Sequence, residues 1–209
     1  MISYGNLYVI AAPSGTGKTT LVKALIESSS KITVSISHTT RPKRPNEMNG
    51  VNYYFIDPAE FKKMIHDHQF LEHAVIFDYY YGTSKWMVEE TLAKGIDVIL
   101  EIDWQGHQQI QHLFPLAIGI FILPPSMTDL RDRLIKRNQD DPNIILKRLA
   151  DVKETVSHIN EFDYVVINDD FTTALDDLKT IIHAERLRQH RQSKNFADLI
   201  DSYLIIKND

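Results

Sequence analysis

The stretch Ala12-Pro13-Ser14-Gly15-Thr16-Gly17-Lys18-Thr19 decides the fold of this chain. An apolar run at residues 7–11 precedes it, and a helical pattern that starts at Thr20 follows it. A strand, a glycine-containing turn and a helix N-terminus in this order form an anion site, because the N–H groups of the turn converge and the helix dipole adds positive partial charge. The sequence therefore predicts a phosphate-binding loop in which Lys18 reaches the β- and γ-phosphates of a nucleotide and the Thr19 hydroxyl ligates Mg²⁺.

One position departs from the usual pattern of such a loop, G-x-x-x-x-G-K-[ST], because Ala12 stands where the first glycine is expected. Glycine permits a positive φ or a close approach of another backbone. We therefore expect ordinary backbone angles and room for a methyl group at Ala12. The alternative interpretation is a glycine-rich turn with a surface lysine, but the strand before it and the helix after it favour the phosphate loop.

The composition is that of an ordinary globular protein: 209 residues, 43% hydrophobic and 24% charged. A formal net charge of −5 argues against a nucleic-acid binder, which is usually basic. The sequence has no cysteine, which excludes disulfides and fits a reducing compartment. Residues 1–6 lack a basic leader, and the apolar stretch 118–125 is too short to span a bilayer. We expect a cytoplasmic protein that binds neither nucleic acid nor membrane, and a homo-oligomer is left open.

A basic loop at residues 38–47 is the second feature with chemical content. Pro42 and Pro45 prevent regular strand pairing there and stiffen the chain. A stiff loop presents Arg41 and Arg44 with little entropy left to lose, as a bidentate phosphate clamp requires. The alternative is a solvated basic loop.

Two carboxylates end the apolar run at residues 96–100, namely Glu101 and Asp103. Residues 96–103 are predicted to form a strand, and a spacing of two places both acids on the same face of it. Acids at the carboxyl end of a strand beside a phosphate loop suit a position that ligates Mg²⁺ or its water.

The rest of the chain alternates strand and helix patterns, which predicts a parallel α/β core. Strands are predicted at residues 31–37, 51–56, 70–77, 117–123 and 164–168, the last as a buried strand, and residues 79–83 are predicted to be a turn. Ser84 is predicted to cap a helix that runs to residue 92. Two arginine-rich helices around residues 126–157 are typical of a lid over phosphates. A final helix at residues 172–189 is predicted to bury a row of apolar side chains, namely Ala174, Leu175, Leu178, Ile181, Ile182 and Leu187.

Seven motifs in this order resemble the guanylate kinase family of ATP:GMP phosphotransferases, and the resemblance runs from Leu7 to Arg188. They are the phosphate loop, Ser-His-Thr-Thr-Arg (37–41) with Arg44, Phe-Leu-Glu-His-Ala (70–74), Tyr-Tyr-Gly-Thr (80–83), Ile-Asp-Trp-Gln-Gly (102–106), Pro-Pro-Ser (124–126) and Val-Ile-Asn-Asp-Asp (166–170). The resemblance implies a single domain over residues 1–209, with a P-loop NTPase-type parallel sheet core, an inserted strand-rich GMP-binding subdomain and a helical lid. The implied bounds are 1–36, 91–125 and 157–209 for the core, 37–90 for the subdomain and 126–156 for the lid.

The resemblance also implies the residues of each site. ATP is expected to bind at Ala12, Pro13, Ser14, Gly15, Thr16, Gly17, Lys18, Thr19, Thr20 and Asn168. GMP is expected to bind at Ser37, Arg41, Arg44, Tyr53, Glu72, Tyr81, Thr83, Glu101 and Asp103. The catalytic charges are expected to be Lys18, Arg44, Arg133, Arg137 and Arg148, with Mg²⁺ held by Thr19 and Glu101.

Glu72 has a physical reason of its own to contact guanine. Guanine presents its N1–H and N2–H donors side by side, and a carboxylate accepts both, whereas adenine offers an acceptor at N1. A buried site built to accept two donors rejects an analogue that lacks them. The alternative is that Glu72 faces solvent or pairs with a base such as Arg44.

Three departures from the family pattern bear on these expectations. Glu101 replaces the usual aspartate, residues 136–138 lack the glycines that usually flank the lid arginine, and Lys43 and Asn46 vary the basic loop. The expected function is transfer of the γ-phosphoryl group of ATP to GMP. One alternative is a module of the same family that binds phosphopeptides without catalysis, against which Lys18 and Thr19 argue. The other is a kinase for a different nucleoside monophosphate, against which Glu72 argues.

Overall fold

The computed structural model describes residues 4–76, 78–136 and 142–204. Its central sheet has five parallel strands in the order β2-β7-β1-β8-β9. These strands are β1 (Leu7–Ala11), β2 (Ile32–Val34), β7 (Asp97–Leu100), β8 (Ile118–Leu123) and β9 (Tyr164–Ile167). The helices that connect and flank them are α1 (Lys18–Ser28), α3 (Lys85–Ala93), α4 (Trp104–Leu113) and α7 (Phe171–Arg186). This architecture confirms the predicted parallel α/β core.

The core lies on both faces of β1, as the continuous apolar run predicts. Tyr8 and Ile10 face one cluster with side chains of α1 and α7, whereas Leu7 and Val9 face a second cluster with side chains of α3 and α4. Because side chains of a strand alternate between faces, one short strand anchors two layers of helices. The central position of β1 places the residues that follow it beside the ends of β7 and β8.

A second sheet has the order β4-β3-β6-β5 and carries the helix α2 (Pro58–His66). Its strands are β3 (His38–Thr39), β4 (Tyr54–Phe55), β5 (Phe70–Ile76) and β6 (Tyr79–Ser84). The Asp57 carboxylate caps α2 by accepting from the N–H groups of Ala59 and Glu60 at 2.8 and 2.9 Å. The predicted turn at residues 79–83 is wrong, because these residues form β6 and pair with β5. The bend falls instead at Asp78, which has a positive φ of 70°.

Several other predictions of local structure need correction. The stretch 31–37 is not one strand, since β2 ends at Val34 and β3 belongs to the other sheet. The stretch 51–56 is reduced to the two residues of β4. The Ser84 side chain forms no cap bond to α3.

Strand β9 is an edge strand whose Val165 and Ile167 are about half exposed rather than buried. Leu187 lies beyond the end of α7 and is 55% exposed, although the other predicted core residues of that helix pack inward.

The remaining helices are α5 (Met127–Lys136), α6 (Pro142–Ser157), α8 (Gln189–Asn195) and α9 (Ala197–Leu204), and a 3₁₀ turn covers Ile159–Glu161. Ser126 precedes α5 and caps this helix by accepting from the N–H of Asp129 at 3.0 Å. Helices α5 and α6 pack together through Leu130, Leu134 and Val152. Within the described ranges, no helix has the length and apolar character needed to cross a membrane.

Candidate active site

The phosphate loop follows β1 and ends at the N-terminus of α1, as predicted. Gly15 and Gly17 have positive φ values of 95° and 97°, which other residues adopt only with strain. A Cβ at Gly17 would lie 2.7 Å from the side-chain nitrogen of Asn168, so two constraints require glycine there. Ala12 does not have a positive φ, and its methyl packs against the core, so the expectation of ordinary angles at this position is confirmed.

Three polar side chains from distant parts of the chain contact the outside of the loop. The Asn168 amide donates to the carbonyl of Thr16 at 2.7 Å, and Arg133 on α5 donates to the same carbonyl at 3.1 Å. Arg133 also donates to the carbonyl of Asn168 at 2.9 Å, while Arg148 on α6 donates to the Ser14 hydroxyl at 2.9 Å. Helices α5 and α6 therefore contact the phosphate loop directly, and Asn168 holds its main chain in place.

Lys18 lies at the first position of α1, where its ammonium group donates to the carbonyl of Ile102 at 3.4 Å. Burial lowers the pKa of this ammonium group, while the nearby Glu101 and Asp103 carboxylates act in the opposite direction. A partly desolvated cation with two anions nearby is suited to exchange the carbonyl for a phosphate oxygen.

The Thr19 hydroxyl donates to Glu101 Oε2 at 2.8 Å, which joins the two predicted metal ligands. Both groups are hard oxygen donors of the kind Mg²⁺ prefers, and Mg²⁺ typically takes one or two carboxylates together with phosphate and water. The described residues contain no group of three or more acidic or histidine side chains that could form a complete metal cage. The donor set therefore fits a metal ion that shares its ligands with a nucleotide.

The segment 101–106 links this loop to the second sheet. The predicted strand face does not exist, because β7 ends at Leu100 and both carboxylates lie beyond it. Asp103 instead caps α4 by accepting from the N–H of Gly106 at 2.9 Å, and burial raises its pKa. A Cβ at Gly106 would lie 2.7 Å from Glu72 Oε2. The main chain of α4 therefore lies so close to the Glu72 carboxylate that little room is left for a side chain at position 106.

Glu72 is 3% exposed and accepts from the Thr83 hydroxyl at 2.6 Å, directly across the pair of β5 and β6. Among the described residues no cation forms an ion pair with it, so the alternative that it faces solvent or pairs with Arg44 is wrong. Burial raises the pKa of this carboxyl to about 7, although the Thr83 hydrogen bonds act against that rise and Asp103 adds to it. A buried acid whose hydrogen bonds come from one neutral residue is costly without a further ligand.

The two arginines of the basic loop share one carboxylate. Arg41 donates to Glu47 Oε1 at 2.6 Å, and the main-chain N–H of Arg44 donates to Glu47 Oε2 at 2.8 Å. The Arg41 guanidinium also lies 5.5 Å from the ring centroid of Tyr53, which is within the range of a cation–π contact. The loop is therefore an ordered structure and not a solvated basic loop.

The other predicted residues have the following positions. The Tyr53 ring contacts the Tyr81 ring at a centroid distance of 5.9 Å, and burial raises the pKa of Tyr53 to about 12. Ser37 lies between β2 and β3 and is half-buried, whereas Thr20 is exposed on the first turn of α1. Pro13 and Thr16 are buried, and the Thr16 hydroxyl donates to the Pro13 carbonyl at 2.8 Å. Arg137 lies outside the described residues.

Two contributors to the site were not singled out from the sequence. Glu47 appeared only as one residue of the basic loop, although its spacing of three from Arg44 is the signal of a closed turn. Gly106 appeared only within a motif, and its role depends on a contact with Glu72, which is distant in the sequence.

The parallel sheet, the central phosphate loop and the acids beside it define a nucleotide-binding protein of the P-loop NTPase class. A model of the family described as guanylate kinase matches residues 4–185. A guanylate kinase of Saccharophagus degradans is 52% identical over 98% of this chain and all of its own, and one of Coxiella burnetii is 54% identical over 93% and 95%. A crystal structure of guanylate kinase from Anaplasma phagocytophilum matches with a TM-score of 0.82 at 32% identity, covering 99% of this chain and 98% of that one. The chain belongs to the guanylate kinase family.

Proposed function

We propose that this chain transfers the γ-phosphoryl group of ATP to the phosphate of GMP, giving ADP and GDP, with the residues described above in both sites. This is the activity of the guanylate kinase family. The observation that best supports the placement of the sites is the segment 101–106. One end of it contacts Lys18 through the carbonyl of Ile102, and the other end contacts Glu72 through Gly106.

The phosphates of ATP bind in the loop at residues 12–19. There the main-chain N–H groups donate hydrogen bonds to the phosphate oxygens, and Lys18 neutralises part of their negative charge. Arg133 and Arg148 support the same role, because both already lie against this loop. Their positive charges are placed to neutralise the phosphoryl group as it is transferred. Arg137 is assigned to the same lid from its sequence position.

GMP binds along the second sheet, with its base at one end and its phosphate at the other. Glu72 accepts hydrogen bonds from the N1–H and N2–H groups of guanine. The Thr83 hydroxyl donates to Glu72 Oε1 and fixes the orientation of the carboxylate. Arg41, Arg44, Tyr53 and Tyr81 lie together and present donors to the phosphate.

The phosphate of GMP is already an anion, so it attacks without a strong general base. Catalysis then depends on positioning the two phosphates in line and on neutralising charge as it moves toward the bridging oxygen. Lys18 and the lid arginines do both. Closure of α5 and α6 over the loop excludes water, which would otherwise compete as the acceptor.

Mg²⁺ is proposed as the metal, held by Thr19 and by Glu101, which are 2.8 Å apart. A metal ion bound there neutralises phosphate charge and fixes the geometry of the donor. The longer side chain of Glu101, compared with the aspartate of the family pattern, is compatible with contact through a water molecule. A cytoplasmic location is also proposed, which the absence of cysteine supports.

The test of substrate choice is a coupled assay of ADP formation with GMP, AMP, CMP and UMP in turn. We expect turnover with GMP that exceeds the others by several orders of magnitude, because a buried carboxylate discriminates strongly against a base without its donors. Comparable turnover with AMP would contradict the proposed base site. Binding of all four without ADP formation would instead favour a module that has lost catalysis.

A further inference from the structure

The two carboxylate oxygens of Glu47 accept hydrogen bonds from two different arginines of the basic loop. Oε1 accepts from Arg41 at 2.6 Å, and Oε2 accepts from the main-chain N–H of Arg44 at 2.8 Å. The N–H of Glu47 in turn donates to the carbonyl of Arg44 at 3.1 Å. Side chain and main chain of Glu47 thus close the turn at residues 44–47 from both sides, with Pro45 at its second position as a type I or II turn favours.

The Arg41 guanidinium is fixed on several sides. One terminal nitrogen donates to Glu47 and the other to the carbonyl of Pro42 at 2.8 Å. The ring centroids of Tyr53 and Phe55 lie 5.5 and 5.8 Å away. Each terminal nitrogen of a guanidinium carries two N–H groups, so these bonds leave donors for a phosphate.

The pair is also well shielded, since the Arg41 and Glu47 side chains are only 12% and 14% exposed. Burial by itself raises the pKa of Glu47, but the hydrogen bonds from Arg41 and Arg44 outweigh it and hold the pKa below its usual range. Glu47 therefore stays ionised at the pH at which Glu72 titrates. Ion pairs of this kind differ from the exposed pairs of the surface, which contribute little.

We propose that Glu47 is a positioning residue for the phosphate of GMP, which holds the Arg41 guanidinium and the Arg44 main chain in the geometry that binds it. The proposal rests on the proposed function, in which Arg41 and Arg44 contact that phosphate. A long arginine side chain loses much rotamer freedom when it binds a ligand, and prior ordering removes that cost. The second oxygen, which accepts from the main-chain N–H of Arg44, distinguishes a positioning group from an anion that merely neutralises Arg41.

These two roles predict opposite effects of removing the charge. If Glu47 only competes with the phosphate for Arg41, its removal strengthens GMP binding. If Glu47 positions the arginines, its removal weakens GMP binding and leaves the chemical step and ATP binding nearly unchanged. Glu47→Gln keeps an acceptor for one partner, because the new amide group carries one oxygen and one NH₂. Its effect should lie between those of wild type and Glu47→Ala.

The experiment is a cycle of wild type, Glu47→Ala, Arg41→Ala and the double variant, with Glu47→Gln added, in which kcat and the KM values for GMP and ATP are measured. Loss of a hydrogen bond to a charged group predicts a KM for GMP about tenfold higher in Glu47→Ala. We expect kcat and the KM for ATP to change less than about threefold, as for loss of ground-state binding. In the Arg41→Ala background most of the Glu47→Ala effect should disappear, because the two residues act together.

The matched control is Glu90→Ala, which removes the acid of the exposed pair with Lys94 at 2.8 Å on α3 and should change neither KM. Thermal melting verifies that each variant is folded, and Glu47→Gln tests the proposal if the alanine variant is not. An unchanged or lower KM for GMP after loss of Glu47, or a full effect that persists without Arg41, overturns the positioning role while the GMP site stands. An unchanged KM for GMP in Arg41→Ala overturns both the positioning role and the assignment of Arg41 to the phosphate.

Discussion

The proposed ligands of the ATP phosphates in the phosphate loop are main-chain N–H groups, whereas the proposed ligand of the base in the second sheet is one side chain, Glu72. The loop has its shape because Gly15 and Gly17 adopt positive φ and because Asn168 and Arg133 bind its carbonyls. Glu72 has its properties because it is buried against Thr83 and Gly106, and no cation of the described residues pairs with it. The first site is specified by backbone conformation and the second by desolvation of one charge.

The difference determines how each site responds to substitution and to pH. A site made of main-chain donors does not titrate near neutrality, and it tolerates side-chain changes except at positions that fix its conformation or supply its cation. A site made of one buried carboxylate titrates where burial has moved its pKa, which is about 7 for Glu72. Such a carboxylate also lowers the stability of the protein that carries it.

The largest effect is expected from Lys18→Ala, which removes the side-chain charge of the phosphate loop. Loss of a contact that stabilises the transition state predicts a fall in kcat of roughly 100-fold or more. The fold should survive, because Lys18 is not part of the apolar core. The control is Lys23→Ala, an exposed lysine on the same helix that pairs with Glu27 at 3.9 Å. Near-normal turnover of Lys18→Ala would contradict the phosphate-loop assignment.

The second expectation concerns the stability of Glu72→Gln without nucleotide. The pKa of Glu72 is about 7 in the folded protein, above its value in the unfolded chain. The stabilisation that comes from its protonation is therefore complete at low pH and is lost as the pH rises through 7. At pH 8.5 the variant should be more stable than wild type by roughly 2–3 kcal/mol, and this advantage should shrink as the pH falls. Urea unfolding at several pH values measures it, and equal stabilities at pH 8.5 would show that the buried charge is not costly.

The third expectation is for Gly17→Ala, which tests the backbone origin of the loop. The φ of 97° and the distance of 2.7 Å from a Cβ to Asn168 both oppose a side chain. Strain of roughly 1–3 kcal/mol predicts a loss of ATP binding of about tenfold or more. Ala12→Gly in the same loop is the comparison, and it should bind ATP within about threefold of wild type. Equal effects of the two substitutions would contradict the account of the loop.

The smallest effect is expected from Thr83→Val, which removes one hydroxyl and keeps the shape of the side chain. Without the donor at 2.6 Å the pKa of Glu72 should rise further, because the Thr83 hydrogen bond favours the charged form. The KM for GMP at pH 7 should rise several-fold, on the scale of one hydrogen bond of about 1 kcal/mol. Thr91→Val on α3, whose hydroxyl binds the carbonyl of Met87 at 2.7 Å, should leave that KM unchanged.

The features that sequence predicted well depend on local chemistry. The phosphate loop follows from two glycines, a lysine and the strand before them. The features it missed depend on pairing across the chain. Residues 79–83 were predicted to be a turn because tyrosines and a glycine stand together, yet pairing with β5 makes them a strand.

The same distinction applies within the site. A carboxylate in the apolar stretch 70–74 predicted a functional Glu72, but its isolation from Arg44 was visible only in the structure. The prediction that Glu101 and Asp103 share a strand face was wrong, because the strand ends at Leu100. Asp103 lies beyond it and caps α4 by accepting from the N–H of Gly106. Contacts of Arg133 and Arg148 with the loop join residues more than one hundred positions apart, which no local pattern specifies.

The central claim is that the buried Glu72 carboxylate recognises guanine, and the most direct test is the Kd for GMP as a function of pH in wild type and Glu72→Gln. Both proteins bind the same phosphate, so its own titration cancels in the comparison. The wild-type Kd should level off about one pH unit above the pKa of Glu72, which is about 7, and should rise relative to the variant as Glu72 becomes protonated at lower pH. The variant should bind roughly 100-fold more weakly at pH 8, because the NH₂ group of its amide is a donor that faces the N–H donors of guanine. Equal affinities at pH 8, or the same ratio at every pH, would contradict recognition of guanine by Glu72.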